Sequence, residues 1–199
     1  MATAPTTDVK GDAAAIRSPM KLAHVVFRTS RFAEMIAWYK RVLNARPAFE
    51  SDSIAFLAYD DEHHRIAFIA VPGLTEQLAG QAGVHHVAFT YENLETLLAN
   101  YERLKDMGVE PIWPVNHGPT TSLYYADPDG NQLEFQVDNY DSVEEAGEFF
   151  FSDAFATNPI GVDVDPADLN ARLRAGEDQA ALKRRAPSGP RGVETIPIR

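Results

Sequence analysis

The chain repeats one alternation of apolar and polar positions in two stretches. Residues 21–43 (KLAHVVFRTSRFAEMIAWYKRVL) align with residues 83–105 (GVHHVAFTYENLETLLANYERLK), and in this alignment His24 matches His86 and Tyr39 matches Tyr101. Each stretch opens with a β-branched and aromatic run, which is typical of a strand, and continues with the spacing of an amphipathic helix. A duplication with only two copies predicts a pair of modules that form one domain.

Three short strand-like runs follow each helix pattern. They lie at 48–50, 54–59 and 65–71 in the first copy and at 110–115, 121–126 and 131–137 in the second. The second helix has one apolar stripe, formed by Leu94, Leu97, Leu98, Tyr101 and Leu104, and Gly108 is expected to end it. The pattern therefore predicts an α+β fold of two paired βαβββ modules, at about 20–72 and 83–138.

The segments outside this domain, which we place at 20–140, have different patterns. Residues 1–19 are small and polar and are expected to form a flexible tail. Residues 141–199 are predicted to form a helical extension and an extended arm, which is either solvated or laid over a partner. One helix in this extension is expected to have Asp165 as its N-cap, Pro166 at its first position and Gly176 after its last turn.

A phenylalanine-rich run, EEAGEFFFSDAF at 144–155, is unusual for a solvated helix. The favoured interpretation is packing of these rings against the sheet in the core. The alternative is a wall or lid over an aromatic substrate, or a contact in a dimer.

Composition narrows the chemistry that the domain can perform. The chain has no cysteine, which excludes disulfides, thiolate nucleophiles and cysteine-ligated metals. Its net charge is −11 with no basic stripe, so nucleic acid is not an expected partner. No apolar run approaches the length of a membrane span and no signal peptide is recognisable, so we expect a cytoplasmic protein without a membrane contact.

Alternation along the strands brings three candidate metal ligands to one cleft. In QLEFQV (132–137), Glu134 lies on the polar face, because Leu133, Phe135 and Val137 must face the helices. His24 and His86 are mates in the repeat and converge if the modules pair by pseudo-twofold symmetry. Two histidines and a carboxylate form a facial triad that suits non-haem Fe(II). A single histidine on a strand is more often structural than a ligand, but three such groups on inward faces favour a metal site.

The motifs LAHVVF, GVHHVAF and DPDGNQLEF resemble the metal-ligand strands of the vicinal oxygen chelate superfamily. That superfamily includes glyoxalase I, bleomycin and fosfomycin resistance proteins and type I extradiol dioxygenases. The resemblance covers about 20–140 and implies the glyoxalase/bleomycin resistance/dioxygenase fold, with paired modules around one divalent metal. It implies that His24, His86 and Glu134 are the ligands.

Further residues indicate the branch of this superfamily. Aligning RIAFIAV with NQLEFQV places Phe68 opposite Glu134, so the fourth ligand of glyoxalase-type sites is missing. His64 is expected to share the parity of Phe68 and to point into the cup, whereas His63 points away. The stretch EHHRIAF resembles the single-domain type I extradiol dioxygenases, of the biphenyl-2,3-diol or catechol 2,3-dioxygenase kind, where a histidine at this place serves as acid or base.

The stretch NHGPTTSLYYADPDGNQLEF resembles the segment of those enzymes that carries a further histidine and a tyrosine. The resemblance implies catalytic roles for His117 and Tyr124, although His117 is equally well explained as a histidine on a surface loop. A tyrosine hydroxyl can hold an ionised catechol oxygen, and a histidine near neutral pKa can remove its proton. His85 and His63 are interpreted as polar residues at strand edges.

The resulting hypothesis is Fe(II)-dependent extradiol cleavage of a catechol-type aromatic diol by dioxygen. Mn(II) suits the same ligands. The first alternative is a metal-dependent lyase or isomerase of the glyoxalase or epimerase kind, and the second is a metal-free binding protein on the same fold. A homo-oligomer, most simply a dimer, is expected because exposed sheet edges favour a partner.

Overall fold

The computed structural model describes residues 17–75, 78 and 80–197. The predicted tail at 1–19 falls almost entirely outside these residues. The first module consists of β1 (Val25–Thr29), α1 (Phe32–Val42), β2 (Arg46–Glu50), β3 (Ile54–Ala58) and β4 (Ile66–Ala70). The second consists of β5 (His86–Thr90), α2 (Leu94–Asp106), β6 (Trp113–Asn116), β7 (Thr120–Ala126) and β8 (Gln132–Asp138). The predicted βαβββ duplication is therefore confirmed.

The C-terminal extension contains four short helices, one short strand and a 3₁₀ turn within the described residues. They are α3 (Val143–Phe149), α4 (Asp153–Thr157), β9 (Val162–Asp163), α5 (Pro166–Arg174), α6 (Gln179–Lys183) and the turn Val193–Thr195. The side chain of Asp165 caps α5, Pro166 opens it and Gly176 follows with a positive φ of 90°, as predicted. The strand β9 was not predicted, because two residues carry no readable alternation.

Each module forms its own mixed sheet. The strand orders are β1-β4-β3-β2 and β5-β8-β7-β6-β9, with β1 parallel to β4 and β5 parallel to β8. The other neighbours are antiparallel, and β9 extends the second sheet beyond β6. In the second sheet β6 is therefore paired on both sides, whereas its counterpart β2 is an edge strand of the first sheet.

The local sequence sets both ends and the buried face of α2, the helix between β5 and β6. Asn93 and Thr96 form a reciprocal capping box at its start, and Gly108 follows its end with a φ of 74°. The predicted apolar stripe is buried as a whole: Leu94, Leu97, Leu98, Tyr101 and Leu104. The stripe packs on β8, whose Phe135 also lies in the core.

The register of the sheets corrects one alignment in the sequence analysis. Phe27 pairs with Phe68 between β1 and β4, and Phe89 pairs with Phe135 between β5 and β8. Phe68 is thus the counterpart of Phe135 and is fully buried in the core rather than in the cup. Ala67 occupies the place that corresponds to Glu134. The prediction that the first module lacks a ligand there is unaffected, because alanine cannot bind a metal.

The two modules share one core and are joined by hydrogen bonds. The hydroxyl of Tyr39 on α1 donates to Oδ2 of Asp127 in the turn before β8, at 3.0 Å. The guanidinium of Arg103 on α2 donates to the carbonyl oxygens of Arg41 and Val42, at 2.7 and 3.0 Å, at the end of α1. The bond to Asp127 holds the turn before β8 against the first module, and the bonds from Arg103 hold α2 against it.

The phenylalanine-rich run is not part of the core, contrary to the favoured interpretation. Phe150 and Phe151 are 51% and 78% exposed, and neither α3 nor α4 buries a residue. Phe149 and Phe155 are half-buried and contact one another. The run therefore forms a separate aromatic cluster on the surface of the second module. Within the described residues, no helix combines the length and apolar composition that a membrane crossing requires.

Candidate active site

The second sheet brings a histidine and a carboxylate into direct contact. His86 opens β5, and Glu134 lies on β8 as the strand partner of Ala88. Nε2 of His86 is 3.0 Å from Oε2 of Glu134. The Glu134 side chain is buried, whereas that of His86 remains partly open to solvent. As predicted, Glu134 lies on the face opposite Leu133, Phe135 and Val137, all of which are in the core.

Tyr124 and His117 complete this cluster. Tyr124 on β7 is the direct partner of Glu134 across the antiparallel ladder, so the two side chains share a face. Its hydroxyl is 3.0 Å from Nε2 of His117, and that nitrogen is 3.9 Å from Oε1 of Glu134. The structure thus brings His117 into the cluster, and the surface-loop alternative is wrong: the ring is largely buried and its Nδ1 contacts the carbonyl oxygen of Ile160.

The contacts of His117 define its hydrogen-bonding roles. The carbonyl oxygen of Ile160 can only accept, so Nδ1 of His117 donates to it. In the neutral ring Nε2 is then an acceptor that faces the hydroxyl of Tyr124. Burial lowers the pKa of His117 more than the neighbouring Ile160 carbonyl and Glu134 raise it. The neutral ring is therefore favoured, as a proton acceptor requires.

The pKa of Glu134 is lowered and that of Tyr124 is raised. Burial alone would raise the pKa of Glu134, but hydrogen bonds from His86 and Ser122 outweigh it and lower that pKa. Burial, followed by the charge of Glu134, raises the pKa of the Tyr124 hydroxyl far above its ordinary value. Glu134 is therefore an anion, and Tyr124 keeps its proton and can donate a hydrogen bond.

His24 and His64 form a second cluster in the first module. Their ring centroids are 4.6 Å apart, and the His64 ring also stacks on Phe56 with centroids 4.6 Å apart. His63, whose side chain is 72% exposed, contacts His64 through Nδ1 at 2.5 Å. Burial, with the neighbouring His63 and His24, lowers the pKa of His64. His64 is thus beside His24, the predicted ligand. It lies in the loop before β4, so the strand alternation that was expected to place it on the same face as Phe68 does not apply.

His24 lines a cavity between the modules. The cavity has a volume of about 180 Å³ and is lined by His24 and Val25 on one side and by Val87, Ala88 and Phe89 on the other. Ala88 is the strand neighbour of Glu134. His24 therefore faces the strand that carries His86, although the structure gives His24 no direct contact with His86 or Glu134.

The donor chemistry of the His86–Glu134 pair fits a divalent metal. An imidazole nitrogen and an ionised carboxylate in contact are ligand types shared by Fe(II) and Mn(II) sites. Among the described residues, no group of three or more histidine or acidic side chains is close enough to hold a metal ion. The set of His24, His86 and Glu134 therefore stays a prediction, of which the His86–Glu134 pair is formed.

Sequence reasoning missed Asp127, which organises the turn before β8. Its carboxylate accepts from the backbone of Asp129 and Asn131, from the Asn131 side chain and from Tyr39. The signal was present in the DPDG motif, since aspartate at the start of a turn binds backbone amides two and more residues ahead. Gln132 was also missed: its amide Oε1 is buried without a hydrogen-bond partner, and it pairs with His86 across β5 and β8.

Comparison with known proteins identifies the family. Residues 21–135 match the model of the Glyoxalase/Bleomycin resistance protein/Dioxygenase superfamily. The chain belongs to this superfamily. The matched range covers the two βαβββ modules up to Phe135 in β8. It contains all six candidate residues: His24, His64, His86, His117, Tyr124 and Glu134.

Two curated relatives within the superfamily are dioxygenases of Rhodococcus globerulus. Biphenyl-2,3-diol 1,2-dioxygenase 2 is 45% identical over 157 residues, which are 78% of this chain and 83% of the relative. Biphenyl-2,3-diol 1,2-dioxygenase 3 is 40% identical over 168 residues, which are 83% and 88% of the two chains. The predicted superfamily and the predicted enzyme class, an extradiol dioxygenase, are thereby confirmed.

Solved structures of superfamily members support the fold alone. A proposed glyoxalase from Bacillus halodurans matches with a TM-score of 0.51 at 17% identity, over 58% of this chain and 94% of that chain. A fosfomycin resistance protein from Listeria monocytogenes matches with a TM-score of 0.51 at 21% identity, over 64% and 97%. The shared part corresponds in size to the paired modules, so the C-terminal extension is additional to the common fold.

Proposed function

We propose that the protein cleaves the ring of a catechol-type aromatic diol with dioxygen, next to the two hydroxyl groups, in an Fe(II)-dependent reaction. One observation carries the proposal: His86, Glu134, His117 and Tyr124, all selected from the sequence, form one polar cluster on the second module. The similarity to two biphenyl-2,3-diol dioxygenases supports a diol with a second aryl group as the substrate.

The proposed metal ligands are His24, His86 and Glu134. A divalent metal bound by them would hold both oxygens of the diol and dioxygen, and would allow electrons to pass from the ring to oxygen. Glu134 suits this role because its carboxylate is ionised and already in contact with His86. His24 borders the cavity that separates the two modules and approaches from the other side.

Tyr124 and His117 would stabilise the negative charge that forms on the diol when it loses a proton. The hydroxyl of Tyr124 keeps its proton and can donate a hydrogen bond to an ionised diol oxygen. Nε2 of His117 lies 3.0 Å from that hydroxyl and is an acceptor in the neutral ring. Together they form a short relay that can stabilise negative charge on the diol as it develops.

His64 would serve as the acid or base on the side of the first module. Its lowered pKa favours the neutral ring near neutral pH, so that it can accept a proton from a diol hydroxyl. It would return that proton to the ring-opened product. Phe56, stacked on the ring, limits rotation of the imidazole and keeps it beside His24.

The two alternative functions receive less support. A lyase or isomerase of the glyoxalase kind would be expected to use a fourth ligand on β4, where Ala67 now occupies the relevant place. A metal-free binding protein would have no need for a buried carboxylate in contact with a histidine, since burying an anion is costly unless it is paired.

Three finer features remain part of the proposal. Fe(II) is favoured over Mn(II) because the reaction activates dioxygen, although both ions suit the ligands. A dimer is expected, since β2 forms an exposed edge of the first sheet. A cytoplasmic location is consistent with the absence of cysteine.

Oxygen uptake tests the proposal. Protein reconstituted with Fe(II) without air should consume dioxygen when 2,3-dihydroxybiphenyl or catechol is added, and should form a yellow ring-opened product. The metal-free protein is the control and should consume none. Absence of uptake with every catechol tried, despite bound iron, would contradict the proposed function.

A further inference from the structure

The last described residues of the chain cross the second module toward the metal-site end of β5. We call residues 191–197 the C-terminal arm. Its first residue, Arg191, donates to Oδ1 of Asp163 at 2.7 Å and to the carbonyl oxygen of Gly161 at 3.2 Å. The same guanidinium lies over the ring of Trp113, 5.8 Å from its centroid. These contacts hold the start of the arm on its own chain.

The arm then packs on the face that carries the candidate site. Trp113 pairs with Tyr124, and Tyr124 pairs with Glu134, so the three side chains share one face of the sheet. The Trp113 ring stacks on that of Tyr124 with centroids 4.9 Å apart. Ile196 of the arm packs against the small apolar cluster that contains both rings and Ile160. The arm thus packs against the apolar cluster that includes Tyr124.

The end of the arm reaches the histidine doublet on β5. The ring of His85 faces the backbone of Pro197, whose carbonyl oxygen is its only polar atom because proline has no N–H. On its other side, Nδ1 of His85 is 2.8 Å from Nδ1 of His86. His85 therefore bridges the arm and the predicted metal ligand, although it points away from the site itself.

The chemistry of these contacts determines which nitrogen of His86 is free. The carbonyl of Pro197 can only accept, so His85 donates a proton to it, and with Nδ1 turned to His86 this proton is on Nε2. Nδ1 of His85 is then an acceptor, and Nδ1 of His86 carries the hydrogen that it accepts. In the metal-free protein Nε2 of His86 donates to Glu134. A metal held by both side chains would replace that hydrogen, and the hydrogen held on Nδ1 by His85 would leave the Nε2 lone pair directed at the metal. A metal-binding histidine is generally oriented in this way by a partner of its second nitrogen.

We propose that His85 is a positioning residue for the metal ligand His86, and that the C-terminal arm holds His85 in place through Pro197. The inference rests on the proposed function, because it assumes that His86 binds a metal. It gives a role to the outer histidine of GVHHVAF and explains why the extension beyond the common fold returns to the site. His85 acts through His86 and has no contact with the diol.

Mn(II) binding to the full-length protein, followed by electron paramagnetic resonance, tests this role without turnover. His85→Phe keeps an aromatic ring and removes both nitrogens, and we expect Mn(II) affinity to fall by about 10- to 100-fold, as for other residues that support a ligand. His85→Gln, which can both donate and accept, should recover part of the loss. Val193→Ser on the exposed side of the arm is the matched control and should bind as the wild type does.

A chain that ends at Thr195 tests the contribution of the arm. It should lose Mn(II) affinity to a similar extent, and the same truncation in His85→Phe should cause no further loss, because both changes break one connection. Wild-type affinity in His85→Phe, alongside lost binding in His86→Ala, would overturn the inference and leave the proposed function intact. A wild-type protein that binds neither Mn(II) nor Fe(II) would instead overturn the proposed function.

Discussion

Nε2 of His86 and Oε2 of Glu134 are 3.0 Å apart, although 47 positions separate them along the chain. Parallel pairing of β5 with β8 produces this contact. It aligns Ala88 with Glu134, and His86 lies two residues before Ala88 on the same face of the sheet. The carboxylate is buried, whereas the histidine is partly open to solvent. The pair therefore places an imidazole nitrogen beside a carboxylate oxygen, the two donor types that the proposed metal site requires.

Replacing the carboxylate should remove metal binding and leave the fold unchanged. Glu134→Gln keeps the shape of the side chain but removes its charge, so the loss of metal affinity should exceed the roughly 10- to 100-fold typical of a supporting residue. Titration of the apoprotein with Fe(II) without air measures it. Glu92→Gln, at an exposed position before α2, is the control and should bind normally. Normal binding by Glu134→Gln would exclude Glu134 as a ligand.

His64→Phe should retain iron and lose most turnover. The ring can still stack on Phe56, but it can no longer accept a proton, and general acid or base catalysis typically contributes about 10²- to 10⁴-fold. Iron content and kcat are measured on the same preparation. His63→Phe should cost less, because its side chain is 72% exposed and does not stack on Phe56. A larger loss in His63→Phe than in His64→Phe would reverse the assignment of the two histidines.

Asp127 should be essential for stability rather than chemistry. Asp127→Ala removes a buried carboxylate that accepts hydrogen bonds from Tyr39, Asp129 and Asn131. We expect the free energy of unfolding to fall by about 2–3 kcal/mol, measured by denaturant titration. Asp52→Ala removes an exposed carboxylate in a turn and should change the stability little. Equal stability of the two variants would contradict this role for the turn.

The anchor of the C-terminal arm should weaken only in acid. Burial alone would raise the pKa of Asp163, but hydrogen bonds from Arg191 and Trp113 lower it below the ordinary value. A lowered pKa in the folded state means that the stabilisation is complete above the ordinary aspartate value, about pH 4, and is lost as pH falls through the folded value. In a Trp38→Phe background, Trp113 is the sole tryptophan, and its fluorescence should change in that range.

The matched variant in the same background is Asp163→Asn. Its Trp113 fluorescence should resemble the low-pH form already at neutral pH and should no longer respond to acidification below about pH 4. An unchanged acid transition in Asp163→Asn would show that another group anchors the arm.

Much of the fold could be read from the chain because its pattern is locally consistent. Both helices have clear stripes, and β8 alternates strictly, so the inward position of Glu134 followed from parity alone. The strand β4 does not alternate: Ile66, Ala67 and Phe68 are all buried, and therefore its register could not be read. That is why Phe68 was matched with Glu134 when Ala67 is the residue at that place.

The remaining errors concern contacts between segments that are distant in sequence. The core was expected to take up the phenylalanine-rich run, but the paired modules already fill it, and Phe151 stays exposed. The path of the arm could not be predicted, because nothing in its composition reveals that Arg191 meets Asp163 or that Pro197 lies by His85. His64 was expected to point into the cup; its ring lies beside that of His24, although the strand alternation used to place it does not hold in the loop before β4.

The central claim is that this cup inserts dioxygen into an aromatic diol. The most direct measurement is the mass of the product formed from 2,3-dihydroxybiphenyl by the Fe(II)-loaded enzyme under isotopically labelled dioxygen. We predict a ring-opened product that carries label from both oxygen atoms, and none with Glu134→Gln. An unlabelled or intact product from the iron-loaded wild type would contradict the account.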